Sequence, residues 1–293
     1  MLEDCTLCPR RCRVNRLAGE RGKCRVTSEV VVSSCGPHFG EESPLVGRHG
    51  SGTIFFTYCN LRCIYCQNYT ISQSGEGSVV SREQLADLML SLQAKGCHNI
   101  NLVSPTHVVP HILDALELAV SRGLHLPLVY NSGGYDLVET LKLLDGIVDI
   151  YMPDMKYSDA KIGEELSGIE DYPKVNQAAV REMHRQVGNL QIDKAGVARR
   201  GLLIRHLVLP NRLAGTLEVV RFLAQEVSTN TYLNIMAQYH PCHQASAKPL
   251  LSRPVQRQEF AEAIALAQQQ GLCRLDNKEA RPAIEAHPGI NHD

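Results

Sequence analysis

The feature that most constrains this chain is a loop of eight residues that contains three cysteines, Cys59-Asn60-Leu61-Arg62-Cys63-Ile64-Tyr65-Cys66. An apolar run at 53–57 comes directly before it and predicts a buried strand. Thiolates at the spacing C-x3-C-x2-C can converge from one loop, and such ligands suit an iron–sulfur cluster. A 4Fe–4S cube held by three cysteines keeps one iron open to a substrate or cofactor. We call 59–66 the cysteine loop and predict that it is catalytic.

Two other interpretations of these three cysteines fit the sequence less well. Free cysteine is often buried in an ordinary core, but the loop also contains Arg62 and Asn60, which do not suit an apolar environment. A structural zinc site needs four ligands, and the loop supplies three. The cluster interpretation therefore leads.

The composition restricts the class of protein. The chain has 293 residues, of which 44% are hydrophobic, enough for one large barrel or two ordinary domains. A net charge of −1 creates no overall field that favours nucleic acid or a membrane surface. The sequence has no run of 18 apolar residues and no signal-peptide pattern at its start. We therefore expect a soluble cytoplasmic protein without a membrane partner, in which eleven cysteines indicate metal binding rather than disulfides.

A second cysteine set lies near the start of the chain, spaced C-x2-C-x3-C-x11-C: Cys5, Cys8, Cys12 and Cys24. Four thiolates can close a tetrahedral zinc site or ligate an iron–sulfur cluster completely, and spacing alone leaves both metals open. Residues 1–30, the N-terminal cysteine segment, contain few large apolar side chains. We expect the metal to supply the folding energy of this segment and to take no part in catalysis.

The N-terminal cysteine segment is also rich in basic residues: Arg10, Arg11, Arg13, Arg16, Arg21, Lys23 and Arg25. Such a run occurs in nucleic-acid-binding patches, but more often it is a solvated face or a set of cations that offsets thiolate charge. We therefore do not expect nucleic acid as a partner.

After the cysteine loop, strands and helices alternate. Periodicity predicts helices over 81–95, 110–122, 136–144, 176–187, 216–227 and 254–270, and strands over 99–103, 126–130, 147–152, 202–209 and 232–236. Ser81/Gln84 and Asp136/Glu139 have the capping-box pattern of helix starts.

This alternation indicates an α/β fold with a parallel sheet, in the form of a partial (β/α)6 TIM-like barrel. We divide the chain into a cysteine-rich metal-binding region at 1–50, which ends in a short hairpin and linker, the barrel at 51–275 and a polar tail at 276–293.

Polar residues recur at the ends of the six predicted strands. They are the cysteine loop after the first strand, Val103 to His107 after the second, Asn131 to Gly134 after the third, Asp154 with Lys156 after the fourth, Arg205 with His206 on the fifth, and Gln238 to Pro241 after the sixth. Parallel α/β sheets bind ligands at the carboxyl ends of their strands. The recurrence therefore predicts one site there. We also expect Asp154 and Lys156 to serve a cofactor rather than the fold, because an ion pair so close in sequence would be exposed and weak.

The cysteine loop after the first strand, with Tyr65 before the last cysteine, resembles the radical S-adenosylmethionine (radical SAM) superfamily. Within it, the Asp154-x-Lys156 pair, Arg205 on the strand 204–210 and the Tyr239-His240 ending resemble the glycyl-radical-enzyme activating branch, which includes pyruvate formate-lyase activating enzyme. The resemblance covers about residues 53–243.

This resemblance implies an oxidoreductase in which the open iron binds the amine and carboxylate of S-adenosylmethionine (SAM). The reduced cluster cleaves SAM to methionine and a 5′-deoxyadenosyl radical, which takes hydrogen from a substrate. It implies an electron donor such as flavodoxin or ferredoxin. It places Lys156 on the methionyl carboxylate and Arg205 and His240 near the cofactor. It also places three residues near the ribose or a monovalent cation: Asn131, Ser132 and Asp154.

The chain departs from that branch in three places. Val103-Ser104-Pro105 replaces a Gly-Gly-Glu segment, so we expect the amine contact at Ser104 or Thr106. Asn131 stands where an acidic residue is common, and the additional cysteines precede the cysteine loop rather than follow it. The leading hypothesis is a radical SAM enzyme that activates a glycyl radical enzyme or another protein substrate.

Two alternatives remain. The first is a radical SAM enzyme that acts on a small molecule or a peptide. The second is a zinc- or iron–sulfur-containing protein that binds nucleic acid or senses redox state, which would not need polar residues at six strand ends.

Overall fold

A computed structural model describes residues 1–276 of this chain. The tail predicted for 276–293 falls, except for Asp276, outside the described residues.

A single mixed sheet organises the described part of the chain. Its nine strands are β1 (Val30–His38), β2 (Ser51–Phe56), β3 (Ser78–Val80), β4 (Ile100–Val103), β5 (Leu128–Ser132), β6 (Ile150–Pro153), β7 (Gln191–Ile192), β8 (Ala198–Leu207) and β9 (Tyr232–Met236). Strands β2, β4, β5, β6, β8 and β9 are parallel neighbours in that order. These six strands confirm the predicted partial (β/α)6 barrel.

Eight α-helices accompany the strands within residues 1–276: α1 (Ser43–Val46), α2 (Arg82–Ala94), α3 (Val109–Ser121), α4 (Val138–Lys142), α5 (Ala160–Ser167), α6 (Tyr172–Val187), α7 (Thr216–Phe222) and α8 (Arg257–Gln269). Helices α2, α3, α4 and α7 each connect two consecutive parallel strands, and α5 and α6 lie between β6 and β8. The predicted helices are present with ends shifted by a few residues, whereas α5 was not predicted.

One of the two predicted capping boxes is confirmed. At the start of α2, the Ser81 hydroxyl accepts from the Gln84 amide N–H and the Gln84 side chain accepts from the Ser81 N–H. The prediction for Asp136 is wrong: α4 begins at Val138, and its N-cap residue Leu137 makes no side-chain cap. The Asp136 carboxylate lies buried and accepts hydrogen bonds from side-chain hydroxyls instead.

The hairpin predicted at the end of the region 1–50 supplies a strand of the main sheet. Strand β1 pairs antiparallel with β2 on one side and with β3 on the other. The region 1–50 therefore contributes a strand that is hydrogen-bonded to the first strand of the barrel.

Two large apolar clusters hold the helices on the sheet. One packs α2 and α3 against β2 and β4, with Leu85, Met89 and Ile112 among its buried side chains. The other packs α6, α7 and α8 against β6, β8 and β9. Among residues 1–276, none of the helices has the length and apolar character needed to cross a membrane. This packing leaves the carboxyl ends of the parallel strands to form a site.

Candidate functional site

The cysteine loop lies directly after β2 and opens onto a cavity of about 360 Å³. The side chains of Cys59, Cys63 and Cys66 all line this central cavity. The loop is entered through Tyr58, whose φ of 72° is uncommon for a residue with a bulky side chain. None of the eleven cysteines, all of which lie in the described residues, forms a disulfide.

Each of the three thiols has a nearby hydrogen-bonding group. The Leu61 amide N–H donates to Cys59 Sγ at 3.4 Å, and the Ser167 hydroxyl donates to Cys63 Sγ at 3.0 Å. Cys66 Sγ lies 3.2 Å from the Ser72 hydroxyl oxygen. Burial raises the pKa of the Cys59 thiol to about 12 and also raises that of Cys63. Binding a metal would therefore release protons from these thiols.

A chain of buried hydroxyl groups supports Cys63 from the side of α5. The Tyr65 and Tyr157 hydroxyls lie 2.6 Å apart, and Tyr157 is 2.7 Å from the Ser167 hydroxyl, which donates to Cys63 Sγ. Burial raises the pKa of both phenols, so they stay protonated. Hydrogen bonds of this kind orient a metal ligand and tune the metal. Sequence patterns did not indicate this network, because Ser167 lies 104 positions from Cys63.

In the same cavity as the cysteine loop, the carboxylate of Asp154 pairs with two cationic side chains. Asp154 accepts from Lys156 Nζ at 2.6 Å and from Arg205 Nε at 2.8 Å, and Arg205 also donates to Asn131 Oδ1 at 2.7 Å. All four side chains line the central cavity. Burial would raise the pKa of Asp154, but Arg205 and Lys156 outweigh it and hold the pKa below its ordinary value. Burial would likewise lower the pKa of Lys156, but Asp154 and Cys63 raise it above the ordinary value.

The expectation that an Asp154–Lys156 pair would be exposed and weak is wrong. The two side chains are only 15% and 16% exposed, because both point from the end of β6 into the cavity. An ammonium group has three N–H donors, and Asp154 uses one of them. Lys156 can therefore hold the carboxylate of Asp154 and still donate to an anionic group in the cavity.

Two of the remaining predicted residues line the central cavity, at the ends of β4 and β5. Ser104 has a φ of 57° and its amide N–H donates to the Asn131 carbonyl at 2.8 Å. Ser132 lines the cavity too, but its hydroxyl donates to Asp136. The turn after Ser132 needs Gly134, because its φ is 73° and a Cβ there would lie 2.1 Å from the Asp154 carbonyl oxygen.

Thr106 does not line the central cavity; its hydroxyl donates to Asp136 Oδ1 at 2.7 Å. Tyr130 donates to the same carboxylate at 3.0 Å. Burial raises the pKa of Asp136 in spite of these donors. Asp136 thus ties together the ends of β4 and β5, a role that its local sequence did not reveal.

His240 lies outside the central cavity. A second cavity of about 220 Å³ adjoins the first through Cys63, Cys66 and Lys156, and it extends past β9 to Gln238 and Tyr239. The His240 side chain is exposed, with Nδ1 3.3 Å from the Gln67 amide nitrogen. The structure therefore places His240 beside the site rather than in it.

Another groove, of about 250 Å³, lies between α7 and α8 and contacts Leu209, Thr216 and Leu266. None of the predicted site residues lines it. The central cavity contains the predicted residues and, at about 360 Å³, is also larger than this groove, so both observations locate the functional site there.

The four cysteines of the N-terminal cysteine segment also line one cavity, of about 10 Å³, which we call the N-terminal cavity. The segment is fixed to the barrel by Arg10, which donates to the carbonyl oxygens of Asn60 at 3.1 Å and Gly168 at 3.0 Å. Thr140 of α4 donates to the Leu7 carbonyl at 2.8 Å. The segment therefore packs directly beside the cysteine loop.

Of the two interpretations of the basic residues, a solvated face or cations that offset thiolate charge, Arg16 fits the second. Arg16 is fully buried and donates to the carbonyl oxygens of Thr27 and His107, both at 2.8 Å. It also lines the N-terminal cavity. Local charge density did not distinguish Arg16 from its neighbours, because its burial depends on contacts with residues 91 positions away.

The cysteine loop and the four cysteines of the N-terminal cavity differ in the metal centres that they suit. Within residues 1–276, no three or more His, Cys, Asp or Glu side chains meet closely enough to hold one metal ion. The thiolates of an iron–sulfur cluster bind different irons, so they surround the cube and do not meet at one point. The cysteine loop, with three thiols around a large cavity, fits such a cluster. A single zinc ion in the N-terminal cavity would require its thiols to move together, because each Zn–S bond is about 2.3 Å.

Comparison with known proteins agrees with this assignment of the cysteine loop. The model of the radical SAM superfamily matches residues 53–190. The protein MJ0674 of Methanocaldococcus jannaschii, described as uncharacterized, is 32% identical over 282 residues, which cover 93% of this chain and 76% of that protein. MJ0808 of the same organism is 24% identical and aligns with 98% of this chain and 83% of its own length.

A solved structure of a radical SAM methyltransferase from Sphaerobacter thermophilus superposes with a TM-score of 0.52 at 14% identity. Streptococcus suis SuiB, bound to S-adenosylmethionine, superposes with a TM-score of 0.50 at 11% identity. The alignments cover 75% of this chain in both cases, and 64% and 47% of the other chains. This chain thus spans about half to two thirds of the structures that it matches, and the likeness concerns the fold.

Proposed function

Because this chain belongs to the radical SAM superfamily, we propose that it cleaves S-adenosylmethionine reductively in its central cavity. The observation that carries the proposal is that one cavity brings together the thiols of Cys59, Cys63 and Cys66 and the cations of Lys156 and Arg205. Thiolates that can hold a cluster thus share a cavity with cations that suit a carboxylate.

Cys59, Cys63 and Cys66 would hold a 4Fe–4S cluster, which supplies, when bound, the electron that cleaves SAM to methionine and a 5′-deoxyadenosyl radical. The protein contributes burial and hydrogen bonds. The Ser167 hydroxyl and the Leu61 amide N–H donate to two of the three sulfur atoms, which stabilises them as thiolates.

The remaining residues would bind SAM. Lys156 holds the methionyl carboxylate with an N–H that Asp154 does not use. Ser104, held in a left-handed conformation at the end of β4, is the candidate for the amine contact. Asn131 and Asp154 would face the ribose, with Arg205 keeping both in place through hydrogen bonds of 2.7 and 2.8 Å.

Three residues that the sequence predicted near the cofactor do not bind it in this proposal: Thr106, Ser132 and His240. Thr106 and Ser132 both donate to Asp136, so they position the ends of β4 and β5 and leave the amine contact to Ser104. His240 is exposed beside Gln67, so it contributes little to SAM affinity.

The test is anaerobic cleavage of SAM by the reconstituted, dithionite-reduced protein, followed as 5′-deoxyadenosine and methionine. We expect both products from the native chain and none from Cys59→Ala. Cys242→Ser is the matched control, because its thiol donates to the Tyr65 carbonyl at 3.1 Å and does not line the central cavity. No cleavage by the native protein, with about four irons and four sulfides loaded at the loop, would reject the proposal.

As the substrate, we propose a glycine in the backbone of a partner protein. Removing a hydrogen atom from that glycine is the reaction by which a glycyl radical enzyme is activated. The adjoining 220 Å³ cavity supports this, since it leads from Cys63 and Cys66 past Gln238 and Tyr239, and so leaves room for a protein segment beside bound SAM. A peptide is the second candidate, because SuiB has been solved with the precursor peptide SuiA and shares this fold at 12% identity and a TM-score of 0.50. A small molecule is the third.

Electron paramagnetic resonance distinguishes these substrates. The loaded protein is mixed with SAM, dithionite and a glycyl radical enzyme from the same genome, and a stable glycyl radical signal that depends on Cys59 is expected. Transfer of deuterium from substrate to 5′-deoxyadenosine then identifies the hydrogen that is abstracted. Cleavage of SAM without a glycyl signal, but with deuterium transfer from a peptide or small molecule, would overturn the activating role and keep the radical chemistry.

A further inference from the structure

His107 is a buried side chain that the proposed reaction does not use. It lies in the short helical turn Thr106–Val108, just beyond the end of β4, and is 2% exposed. Its side chain lines the N-terminal cavity together with the four cysteines of the N-terminal cysteine segment. The barrel therefore contributes a histidine to a cavity that is otherwise built by the first 24 residues.

The hydrogen bonding of His107 fixes its tautomer. Nε2 lies 2.9 Å from the Thr57 carbonyl oxygen, which can only accept, so Nε2 carries the proton. Nδ1 then presents a lone pair, and this buried atom has no hydrogen-bond partner. A neutral imidazole whose other nitrogen donates to a backbone carbonyl is the usual form of a metal-binding histidine.

Arg16 adds a second observation at the same place. Two of its nitrogens donate to backbone carbonyl oxygens, one of them that of His107, while its second terminal nitrogen is buried without a partner. A buried cation with a spare N–H beside four thiols suits an anionic thiolate–metal centre.

We propose that His107 Nδ1 is a ligand of the metal centre in the N-terminal cavity, together with three of the four cysteines Cys5, Cys8, Cys12 and Cys24. The ligand set is then sulfur and nitrogen, which both zinc and iron–sulfur clusters accept. The site offers five donors, whereas a zinc ion or a four-iron cluster takes four from the protein, so one cysteine is dispensable. This centre would join the N-terminal cysteine segment to the end of β4, and it does not depend on the radical reaction.

The test uses the full chain with Cys59→Ala, Cys63→Ala and Cys66→Ala, so that bound metal reports the N-terminal cavity alone. His107→Gln removes Nδ1, while the glutamine amide can still donate to the Thr57 carbonyl. His111→Gln is the matched control: His111 Nε2 also bonds a carbonyl, that of Ser28 at 2.8 Å, and its Nδ1 is also unpartnered, but it does not line the cavity. We expect His107→Gln to lower metal retention against a chelator at least about tenfold, and His111→Gln to change it little.

Spectroscopy identifies the nitrogen ligand directly. After iron and sulfide reconstitution, hyperfine coupling from 15N-labelled histidine is expected and should be absent in His107→Gln. If the site takes zinc instead, cobalt substitution should give a spectrum with three thiolates and one nitrogen. These measurements on the chain with intact His107 decide the question even if the variant does not fold. Four cysteines that are each indispensable, together with no nitrogen coupling in either metal form, would overturn the proposal.

Discussion

The two cysteine sites of this protein are neighbours with opposite surroundings. The cysteine loop opens onto about 360 Å³, whereas the N-terminal cavity holds about 10 Å³. Facing the first are Lys156, Arg205 and Ser104, which come from three different strand ends. Around the second are thiols, His107 and the guanidinium of Arg16, with no space for another molecule. The number and spacing of cysteines alone do not separate a catalytic centre from a closed one; the free volume and the groups across it do.

The two sites also differ in how far the surrounding chain depends on metal for its folding. The cysteine loop follows β2, a strand of a sheet that packs on its own apolar clusters, so we expect the sheet to fold without metal in this loop. The N-terminal cysteine segment has only one helical turn, at Arg16–Ala18, before β1. Arg11, Arg13 and Arg25 in this segment have positive φ angles, which cost free energy in L-residues. The contacts of Arg10 and Thr140 offset part of that cost, and we expect a metal held by the four cysteines to offset more of it.

The largest expected effect separates the two sites. In Cys8→Ala/Cys12→Ala, we expect loss of the N-terminal metal and new protease cleavage near the N-terminus, because the segment loses the ligands that fold it. With dithionite as reductant, SAM cleavage should continue, whereas in Cys59→Ala it should fall below detection. Metal analysis, limited proteolysis and 5′-deoxyadenosine assays check this.

Two other outcomes would give the metal centre in the N-terminal cavity a role in electron transfer. If the double variant keeps the cluster at the cysteine loop and yet loses all SAM cleavage with dithionite, the N-terminal centre is an obligatory electron relay. If it loses cleavage only with flavodoxin or ferredoxin as donor, the centre is the entry point for protein-borne electrons.

The next effect concerns the open site. Lys156→Met should weaken SAM binding about 10- to 100-fold, because a hydrogen bond to a charged group contributes about 1.5–3 kcal/mol. It should also lower the free energy of unfolding by about 1–2 kcal/mol, since Asp154 loses one of its two cations and keeps Arg205. The buried network thus gives Asp154 and Lys156 a part in stability in addition to the expected role in cofactor binding. His240→Ala, outside the cavity, should change SAM affinity less than threefold.

Equilibrium binding of SAM and thermal unfolding of the same samples check that prediction. A loss of stability in Lys156→Met with SAM affinity intact would mean that the Asp154–Lys156 pair is structural and that another group binds the carboxylate.

A smaller effect tests the contact between the two sites. Arg10→Ala removes two hydrogen bonds, to the carbonyl oxygens of Asn60 and Gly168, and should destabilise the protein by about 1–3 kcal/mol. Arg13→Ala is the control in the same segment, because Arg13 pairs only with exposed Asp4 and should cost less than about 1 kcal/mol. Denaturant unfolding measures both. Equal effects would show that Arg10 does not fasten the segment to the barrel.

The smallest effect is electronic. Ser167→Ala removes the donor to Cys63 Sγ and should make the reduction potential of the cluster at the cysteine loop more negative, because a hydrogen bond to sulfur stabilises the more negative reduced state. A hydrogen bond of about 1 kcal/mol corresponds to about 40 mV for one electron. A potentiometric titration followed by electron paramagnetic resonance measures the shift. An unchanged potential would show that the Ser167 hydroxyl does not bond the loaded thiolate.

Local patterns in the sequence predicted much of this protein for a clear reason. Strand and helix periods, the Ser81/Gln84 cap and the six polar strand ends depend on neighbouring residues, so they could be read without coordinates. Strands β3 and β7, which flank the parallel strands, were harder to predict, because β3 has three residues and β7 two. Their pairing depends on partners elsewhere in the chain. Helix α5 was missed too, although its N-cap Asp159 accepts from the Ile162 N–H in the usual way.

The sequence by itself determined the residue types and their order: two cysteine sets, six parallel strands and polar residues at the strand ends. Only the tertiary structure decided which of these residues share a cavity. It turned Asp136 inward to bind hydroxyls, buried Arg16 and brought His107 to the N-terminal cysteines, while it left His240 exposed. The physical reason is that burial and unpaired hydrogen-bonding groups arise from contacts between residues far apart in the chain, which periodicity and spacing do not encode.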